Sequence, residues 1–389
     1  MINQIHTKDN RLLLAEMGDN SIDAIVTDPP YGISFMNKKW DYDIPDVDFW
    51  RECLRVVKPG GYILVACGTR TQHRMACNIE DAGFLIRDIV AWCYGSGFPK
   101  GRNIAIDIDK IQGIKSEFTE YTRNYPIIST DRSNHYRPYM DNYKQDDGKL
   151  LCKRSIATSE LAKQFEGFNT ALKPAMELFT LAQKPLSEKT YAENVIKWGT
   201  GAMNIGACKI GDEDMSKQWD REWKQDNTFG NGKRSKDKSN ITSGRYPANF
   251  IHDGSAEVLE LFPNNSQDVD SSVARYFYCA KASPNERNKG CENFELRQET
   301  DGNIRSNKNT ARMYGANHTV AKNTHPTVKP IALMRYLVRL ITPPDGIVFD
   351  PFVGSGTTAI AAKLENKNFI ACELDEIYCQ IANARLKAW

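Results

Sequence analysis

Ile347-Val348-Phe349-Asp350-Pro351-Phe352-Val353-Gly354-Ser355-Gly356-Thr357-Thr358 reads as an apolar strand, a glycine turn and the start of a helix. Gly354 and Gly356 allow positive φ and let a ligand approach the backbone closely. The helix start behind them favours a negatively charged group. Glu373 ends the next apolar run, 19 residues beyond Gly354, where a doubly wound fold places the carboxylate that holds ribose hydroxyls; Leu374 follows it. No Gly-Lys-Ser/Thr follows, so this is no Walker loop. The third glycine of a dinucleotide fingerprint is also missing. The expectation is a nucleotide-like cofactor held by Asp350, Pro351, Phe352, Gly354, Ser355, Gly356, Thr357, Thr358, Glu373 and Leu374.

Regular structure flanks this turn. Pro330 to Ile341 has helical spacing, Thr357 to Leu364 and Glu376 to Ala388 are further helices, and Asn368 to Cys372 is a strand. The first hundred residues show the same alternation. Ser21 to Val26 is a strand, Asp48 to Val57 a helix stopping at Lys58-Pro59-Gly60-Gly61, and Tyr62 to Cys67 a buried strand. Thr71 to Ala82 is a helix ending at Gly83, and Arg87 to Tyr94 another strand. This rhythm implies a mostly parallel sheet with helices on both faces. Between the two halves the pattern degrades into polar, Tyr- and Asn-rich sequence, interrupted by core-like strands at Met176 to Ala182 and Arg275 to Ala280. The expected organisation is one α/β domain split between residues 1–101 and 325–389. Residues 102–324 form an appended region that returns strands to the core at about 170–200 and 275–283.

A chain of 389 residues with 41% hydrophobic and 26% charged residues can bury a large core. Its apolar runs are strand-sized, well below the roughly 20 residues of a membrane span. The first residues lack the basic and apolar regions of a secretory signal. The ten cysteines are scattered without a Cys-x-x-Cys pair, and several (Cys67, Cys93, Cys279, Cys372) sit in apolar runs. A reducing cytoplasm is expected, with no metal site and no membrane. Net charge is +2, and between Arg102 and Lys322 basic residues exceed acidic ones by only 3, too few to argue for nucleic acid.

Asp28-Pro29-Pro30-Tyr31 follows the apolar run Ala24-Ile25-Val26. A strand simply stopped by prolines and capped by Asp28 is one reading. The tetrapeptide also suits a specific chemistry. An exocyclic amine on a base is a poor nucleophile because its lone pair is delocalised into the ring. Two acceptors aimed at its N–H groups, the Asp28 carboxylate and the Pro29 carbonyl, promote pyramidalisation, and two prolines stiffen the backbone that holds them. Tyr31 offers a flat face for an extruded base, and Asp28 can take up the leaving proton.

Together, Asp28 to Tyr31 and Asp350 to Thr358 resemble the β-class amino DNA methyltransferases, in which the catalytic motif precedes the glycine loop and a target-recognition region lies between. The similarity covers roughly residues 1–100, 170–200, 275–290 and 320–389. It implies a Rossmann-like, circularly permuted, seven-stranded fold, S-adenosyl-L-methionine as cofactor, and methylation of adenine N6 in double-stranded DNA at a specific sequence. Cytosine N4 remains the alternative. Asp rather than Ser at position 28 leans towards adenine through the resemblance, not through physics. Cytosine C5 chemistry needs a Pro-Cys nucleophile, which is absent. A silent DNA-binding scaffold would show erosion of one motif, and neither is eroded.

Other stretches are similar to the family pattern. Lys58-Pro59-Gly60-Gly61 matches its proline-glycine turn. His325-Pro326-Thr327-Val328-Lys329-Pro330 resembles the segment that closes over the cofactor methionine end, with His325, Thr327 and Lys329 as contacts. Asp9-Asn10 matches the position that approaches the cofactor adenine, or is a surface turn. After the catalytic motif, Met36 and Trp40 either fill the vacated base stack or pack in the core, while Lys38 and Lys39 suit phosphates. Lys233, Arg234, Arg305 and Arg312 lie in basic, Asn-rich clusters that are either DNA contacts or solvated loops. A homodimer is expected from the resemblance. No nuclease motif is visible, and whether a restriction endonuclease accompanies the enzyme is not written in the chain.

Overall fold

The computed structural model describes residues 1–33, 41–95, 101–115, 117–124, 149–211, 244–255, 258, 277–294, 297–298 and 320–389. Its strands are β1 (Gln4–Thr7), β2 (Ile22–Thr27), β3 (Val57–Gly68), β4 (Leu85–Cys93), β5 (Glu117–Asn124), β6 (Lys149–Ile156), β7 (Met176–Gln183), β8 (Phe250–His252), β9 (Phe277–Tyr278), β10 (Arg297–Gln298), β11 (Val320–Ala321), β12 (Ile347–Asp350) and β13 (Asn368–Glu373). The helices that frame the sheet are α1 (Asn10–Glu16), α2 (Val47–Val56) and α3 (Gln72–Asp81). Further along the chain come α4 (Ile104–Ile111), α5 (Glu160–Gln164), α6 (Tyr191–Trp198), α7 (Pro284–Asn288), α8 (Ile331–Ile341), α9 (Thr357–Leu364) and α10 (Glu376–Ala388).

Nine strands form one sheet in the order β1-β13-β12-β2-β3-β7-β4-β8-β9. All neighbours are parallel except β7, which runs antiparallel between β3 and β4. The fold is the expected α/β, Rossmann-like one. Seven of its strands, β2, β3, β4, β7, β9, β12 and β13, were marked in the sequence, and the short β8 is added between β4 and β9 near one edge. β1, unmarked in the sequence, closes the other edge by pairing with β13.

Strand side chains alternate between two cores. Ala24, Val26, Leu64, Ala66 and Val348 face Leu333, Leu337 and Ala361 of α8 and α9. Ile25, Ile63, Val65 and Phe349 face Leu13, Phe49, Trp50 and Met75 of α1 to α3. The sheet is therefore buried on both sides, which explains why its strands read as continuous apolar runs.

Lys58-Pro59-Gly60-Gly61, expected as a turn, is a bulge within β3: Val57 pairs with Ile22 and Tyr62 with Ala24, leaving this stretch opposite Asp23. Gly60 adopts φ +79°, and a Cβ there would stand 2.5 Å from Asn194 Nδ2. Lys58 reaches from this stretch to Asp23 Oδ1 (2.6 Å), while Asp23 Oδ2 accepts the amide of Ile347 (2.7 Å). One nearly buried carboxylate thus joins β2, β3 and the start of β12.

The described residues fall into two compact units. The first, which holds the nine-stranded sheet, takes those of Met1–Ser96, Ala175–Arg305 and Asn317–Trp389. The second takes those of Gly97–Pro174. It contains α4, the antiparallel β5–β6 ribbon and α5, with buried Asp109 of α4 accepting the amides of Thr158 (2.7 Å) and Ser159 (3.0 Å).

Candidate active site

β12 and β2 are adjacent and parallel, with Val348 opposite Ala24 and Phe349 opposite Ile25. After β12 the chain crosses through α9 to β13 on one side. After β2 it crosses through α2 to β3 on the other. The carboxyl ends of β12 and β2 therefore mark the point where the winding reverses, the place where open α/β sheets bind ligands. Both motifs sit there, although more than 300 residues separate them.

The two ends are fastened together. Thr27 donates to Asp350 Oδ1 at 2.6 Å, and the Phe352 amide donates to the same oxygen at 3.0 Å. Burial pushes the Asp350 carboxyl up to about 6, against the hydrogen bond from Thr27. Gly354 (φ +54°) and Gly356 (φ +85°) shape the turn, as their type allows. The Gly354 amide donates to Glu373 Oε2 (3.0 Å) and the Asp375 amide to Glu373 Oε1 (2.9 Å), so the end of β13 is tied to the loop. Burial raises the Glu373 carboxyl. Asn10 reaches the Pro351 carbonyl at 3.4 Å. Asp9 caps α1 by accepting from Arg11 and Leu12 amides.

His325 also belongs to this corner. A Cβ on Gly354 would stand 2.6 Å from His325 Nε2, and the His325 ring packs edge-on against Tyr378 at 4.6 Å between centroids. Burial, then the Lys329 charge, depresses His325 to about 3, so it is neutral. Its Nδ1 accepts the Thr327 amide (3.4 Å). Thr327 and Leu374 are exposed. The loop, Asn10, Glu373 and His325 converge from four separate segments around Phe352 to Gly354. Backbone donors, a half-buried carboxylate and a neutral imidazole form a donor set suited to a zwitterionic nucleoside.

At the end of β2, Asp28 Oδ1 accepts from Tyr31 Oη (2.7 Å) and Asp28 Oδ2 from Lys329 Nζ (2.5 Å). Lys329 Nζ also lies 3.2 Å from Tyr31 Oη and 3.1 Å from Glu177 Oε2. Expected as a contact for the cofactor methionine end, Lys329 thus has its ammonium on the Asp28 carboxylate. Burial disfavours that charge, but the carboxylates of Asp28 and Glu177 more than reverse the effect, and Lys329 stays protonated. Burial raises the Asp28 carboxyl; Lys329 opposes this and Glu177 adds to it. Tyr31 is held well above its usual value by burial and by Asp28, so it is a neutral donor.

The backbone after the prolines is pinned by Asp41, which is 1% exposed. Asp41 accepts the amides of Tyr31 (2.6 Å), Gly32 (3.1 Å) and Ile33 (3.3 Å). Thr71 donates to the Tyr31 carbonyl (2.7 Å), and the Tyr31 ring lies over Gly68, where a Cβ would meet it at 3.2 Å. Asp41, Glu177 and Thr71 were not singled out in the sequence. An acidic residue inside the apolar strand Met176–Gln183 is the signal that marks Glu177. Met36, Lys38, Lys39, Trp40, Lys233, Arg234, Arg305 and Arg312 lie outside the described residues.

A DNA methylase family profile of the N6/N4 type matches residues 22–384, nearly the whole chain and both motifs. The chain belongs to this family. The cofactor of these methylases is S-adenosyl-L-methionine.

Among curated relatives, the methylase is 36% identical over 70 residues to Type II methyltransferase M.ScaI of Streptomyces caespitosus, covering 18% of this chain and 23% of that protein. It is 46% identical over 63 residues to Orphan methyltransferase M.BamHII of Bacillus amyloliquefaciens, covering 16% and 24%. These alignments span about a quarter of the relatives' length. A solved structure of PvuII DNA methyltransferase (cytosine-N4-specific) aligns over 98% of this methylase and 85% of that chain at 14% identity, with a TM-score of 0.46. Among the described residues of the methylase, no helix is long and apolar enough to cross a membrane.

Proposed function

We propose that this methylase transfers a methyl group from S-adenosyl-L-methionine to the exocyclic N6 of an adenine extruded from double-stranded DNA, at a specific sequence. The observation that carries this reading is the meeting of Asp28 with the glycine loop at the reversal between β2 and β12. When bound, the cofactor supplies a methyl group made electrophilic by its sulfonium. Asp350 to Thr358, Glu373, Leu374, His325, Thr327, Asp9 and Asn10 are the residues assigned to hold it.

Asp28 and the Pro29 carbonyl accept the two N–H groups of the amine and draw its nitrogen out of the plane of the ring. Asp28 keeps acceptor capacity for this, since each carboxylate oxygen carries two lone pairs and one internal donor. Tyr31, fixed by Asp28 through its hydroxyl and by Asp41 and Thr71 through its backbone, presents a ring for the base to stack on. Asp28 receives the proton that the amine gives up. The second compact unit and the basic clusters around Lys233, Arg234, Arg305 and Arg312 are assigned to target recognition, together with the segment Met36 to Trp40.

Cytosine N4 presents the same planar amine, so the acceptor pair serves either base. The preference for adenine rests on Asp at position 28. Incubating unmethylated genomic DNA with the purified protein and cofactor, followed by nucleoside analysis, distinguishes them. N6-methyladenine is the expected product. N4-methylcytosine would replace the adenine reading, and no modified base would end the methyltransferase reading.

A further inference from the structure

Lys329 occupies a position that neither base stacking nor cofactor binding explains. Its side chain is 8% exposed and its ammonium lies between two carboxylates, Asp28 Oδ2 at 2.5 Å and Glu177 Oε2 at 3.1 Å. Glu177 comes from β7, the one antiparallel strand of the sheet, flanked by Gly68 of β3 and Trp92 of β4. Its other oxygen, Oε1, accepts from Tyr94 Oη at 3.3 Å, and the Tyr94 ring carries Lys281 Nζ at 3.6 Å from its centroid. Among the described residues, Glu177 Oε2 has no hydrogen-bond partner beyond the ion pair with Lys329. Lys329 thus bridges two carboxyl groups that are otherwise bonded to different donors, Asp28 to Tyr31 and Glu177 to Tyr94. The three groups form one continuous ionic contact from Asp28 through Lys329 to Glu177.

The proposed methylation releases one proton. From this we infer, resting on that reading, that Lys329 and Glu177 carry the proton away from Asp28, with Glu177 as its terminal acceptor. Amine methylation forms one C–N bond, the electron pair of the broken C–S bond staying on sulfur, and the nitrogen is left with one proton too many. Asp28 takes that proton. Lys329 then gives one of its own protons to Glu177 and receives the one on Asp28. The ammonium is unchanged, Asp28 is again a carboxylate, and Glu177 is neutral. The Glu177 side chain is 20% exposed although the oxygen that meets Lys329 is buried, so turning of its carboxyl releases the proton to solvent while Asp28 is still covered by the methylated base. Glu177 therefore acts through Lys329 as a positioning residue and does not touch the base.

The groups facing Glu177 are Lys329, Asp28, Tyr31 and Tyr94, with Lys281 behind Tyr94. The Glu177 charge raises the Asp28 carboxyl, so removing it moves the acid limb of the rate profile to lower pH. The test compares full-length wild type, Glu177→Gln and Glu177→Asp in single-turnover methyl transfer to DNA from pH 5 to 9, with cofactor affinity measured by calorimetry. Glu177→Gln is expected to bind cofactor like wild type and to lose about tenfold or more of the plateau rate. Its acid limb should move down, and Glu177→Asp should recover both plateau and limb. A Glu177→Gln enzyme with the wild-type rate would overturn the relay. So would an equal loss at every pH with an unmoved limb, a loss of cofactor binding, or a Glu177→Asp enzyme no better than Glu177→Gln. Wild type that methylates no DNA would instead overturn the methyltransferase reading, and the relay with it.

Discussion

Arg385 Nη1 donates to both the carbonyl and the hydroxyl of Ser355, at 2.5 and 2.9 Å, from a position with no exposed surface. A third contact reaches Thr357 Oγ1 at 3.3 Å. The last helix, α10, thereby grips the middle of the glycine loop. Burial depresses the guanidinium to about 10, and its Nε and Nη2 find no partner among the described residues. Arg385→Leu relieves that burden but strands the Ser355 carbonyl. A net loss of about 1–3 kcal/mol is expected. Cofactor affinity should fall with it, and chemical denaturation alongside calorimetry separates the two effects.

Gly354→Ala should be more damaging to binding than to folding. Its φ of +54° disfavours any side chain, and the added Cβ would stand 2.6 Å from His325 Nε2. The left-handed conformation alone costs about 1–2 kcal/mol, so cofactor affinity should drop by about tenfold or more. Affinity equal to wild type would show that this loop does not hold the cofactor.

Asp28→Ala is expected to lower the single-turnover rate by about 10²-fold or more while cofactor affinity changes little. Radiolabelled methyl incorporation and calorimetry measure the two quantities on one preparation. Near-normal turnover would remove Asp28 from the proposed mechanism.

The Asp350 carboxyl sits at about 6 in the folded protein, against an ordinary 3.8. A raised folded value means that the folded state binds the proton more tightly, so stability falls as pH rises from about 4 to about 6. The full shift is worth about 3 kcal/mol. Asp350→Asn should lose this dependence. Urea titrations of both proteins at pH 4 and pH 7 test it, and parallel pH profiles would contradict it.

His325 runs the other way. Buried and neutral, with its protonation depressed to about 3, it contributes stability that is lost as pH falls from 6.5 towards 3. His325→Gln should therefore be less acid-sensitive than wild type in the same titrations. Greater acid sensitivity in the variant would refute the assignment of a neutral ring.

Lys58→Met should leave Asp23 as a buried carboxylate holding only the Ile347 amide. A cost of about 3–5 kcal/mol is expected from uncoupling such a pair. The loss should appear in thermal or urea unfolding, while methyl transfer per folded molecule stays near normal.

The two motifs were readable because each is local: a strand, a break and a helix start within a dozen residues. Their neighbourhood was not. Pairing of β2 with β12, and of β7 between β3 and β4, is decided by tertiary packing that no short window contains. Met176 to Ala182 reads as a buried strand, but nothing in it announces an antiparallel direction or the meeting of Glu177 with Lys329, 152 residues away. Lys58-Pro59-Gly60-Gly61 has turn chemistry and forms a bulge inside β3, between Val57 opposite Ile22 and Tyr62 opposite Ala24, held there by Asn194 and the Asp23 ion pair. Asp41 looks like an ordinary loop acid; its three backbone partners make it structural.

The pairing of Ala24 with Val348 also sets an order of events in the cell. As the chain leaves the ribosome, β2 exposes one unpaired edge throughout the synthesis of some 320 further residues, and β1 waits still longer for β13. At about 5–20 residues per second this interval lasts many seconds. The strand that carries Asp28 cannot be locked into the sheet before the glycine loop has been made. A nascent or truncated chain therefore has a sticky sheet edge and no assembled reaction centre, and the two are completed in the same step.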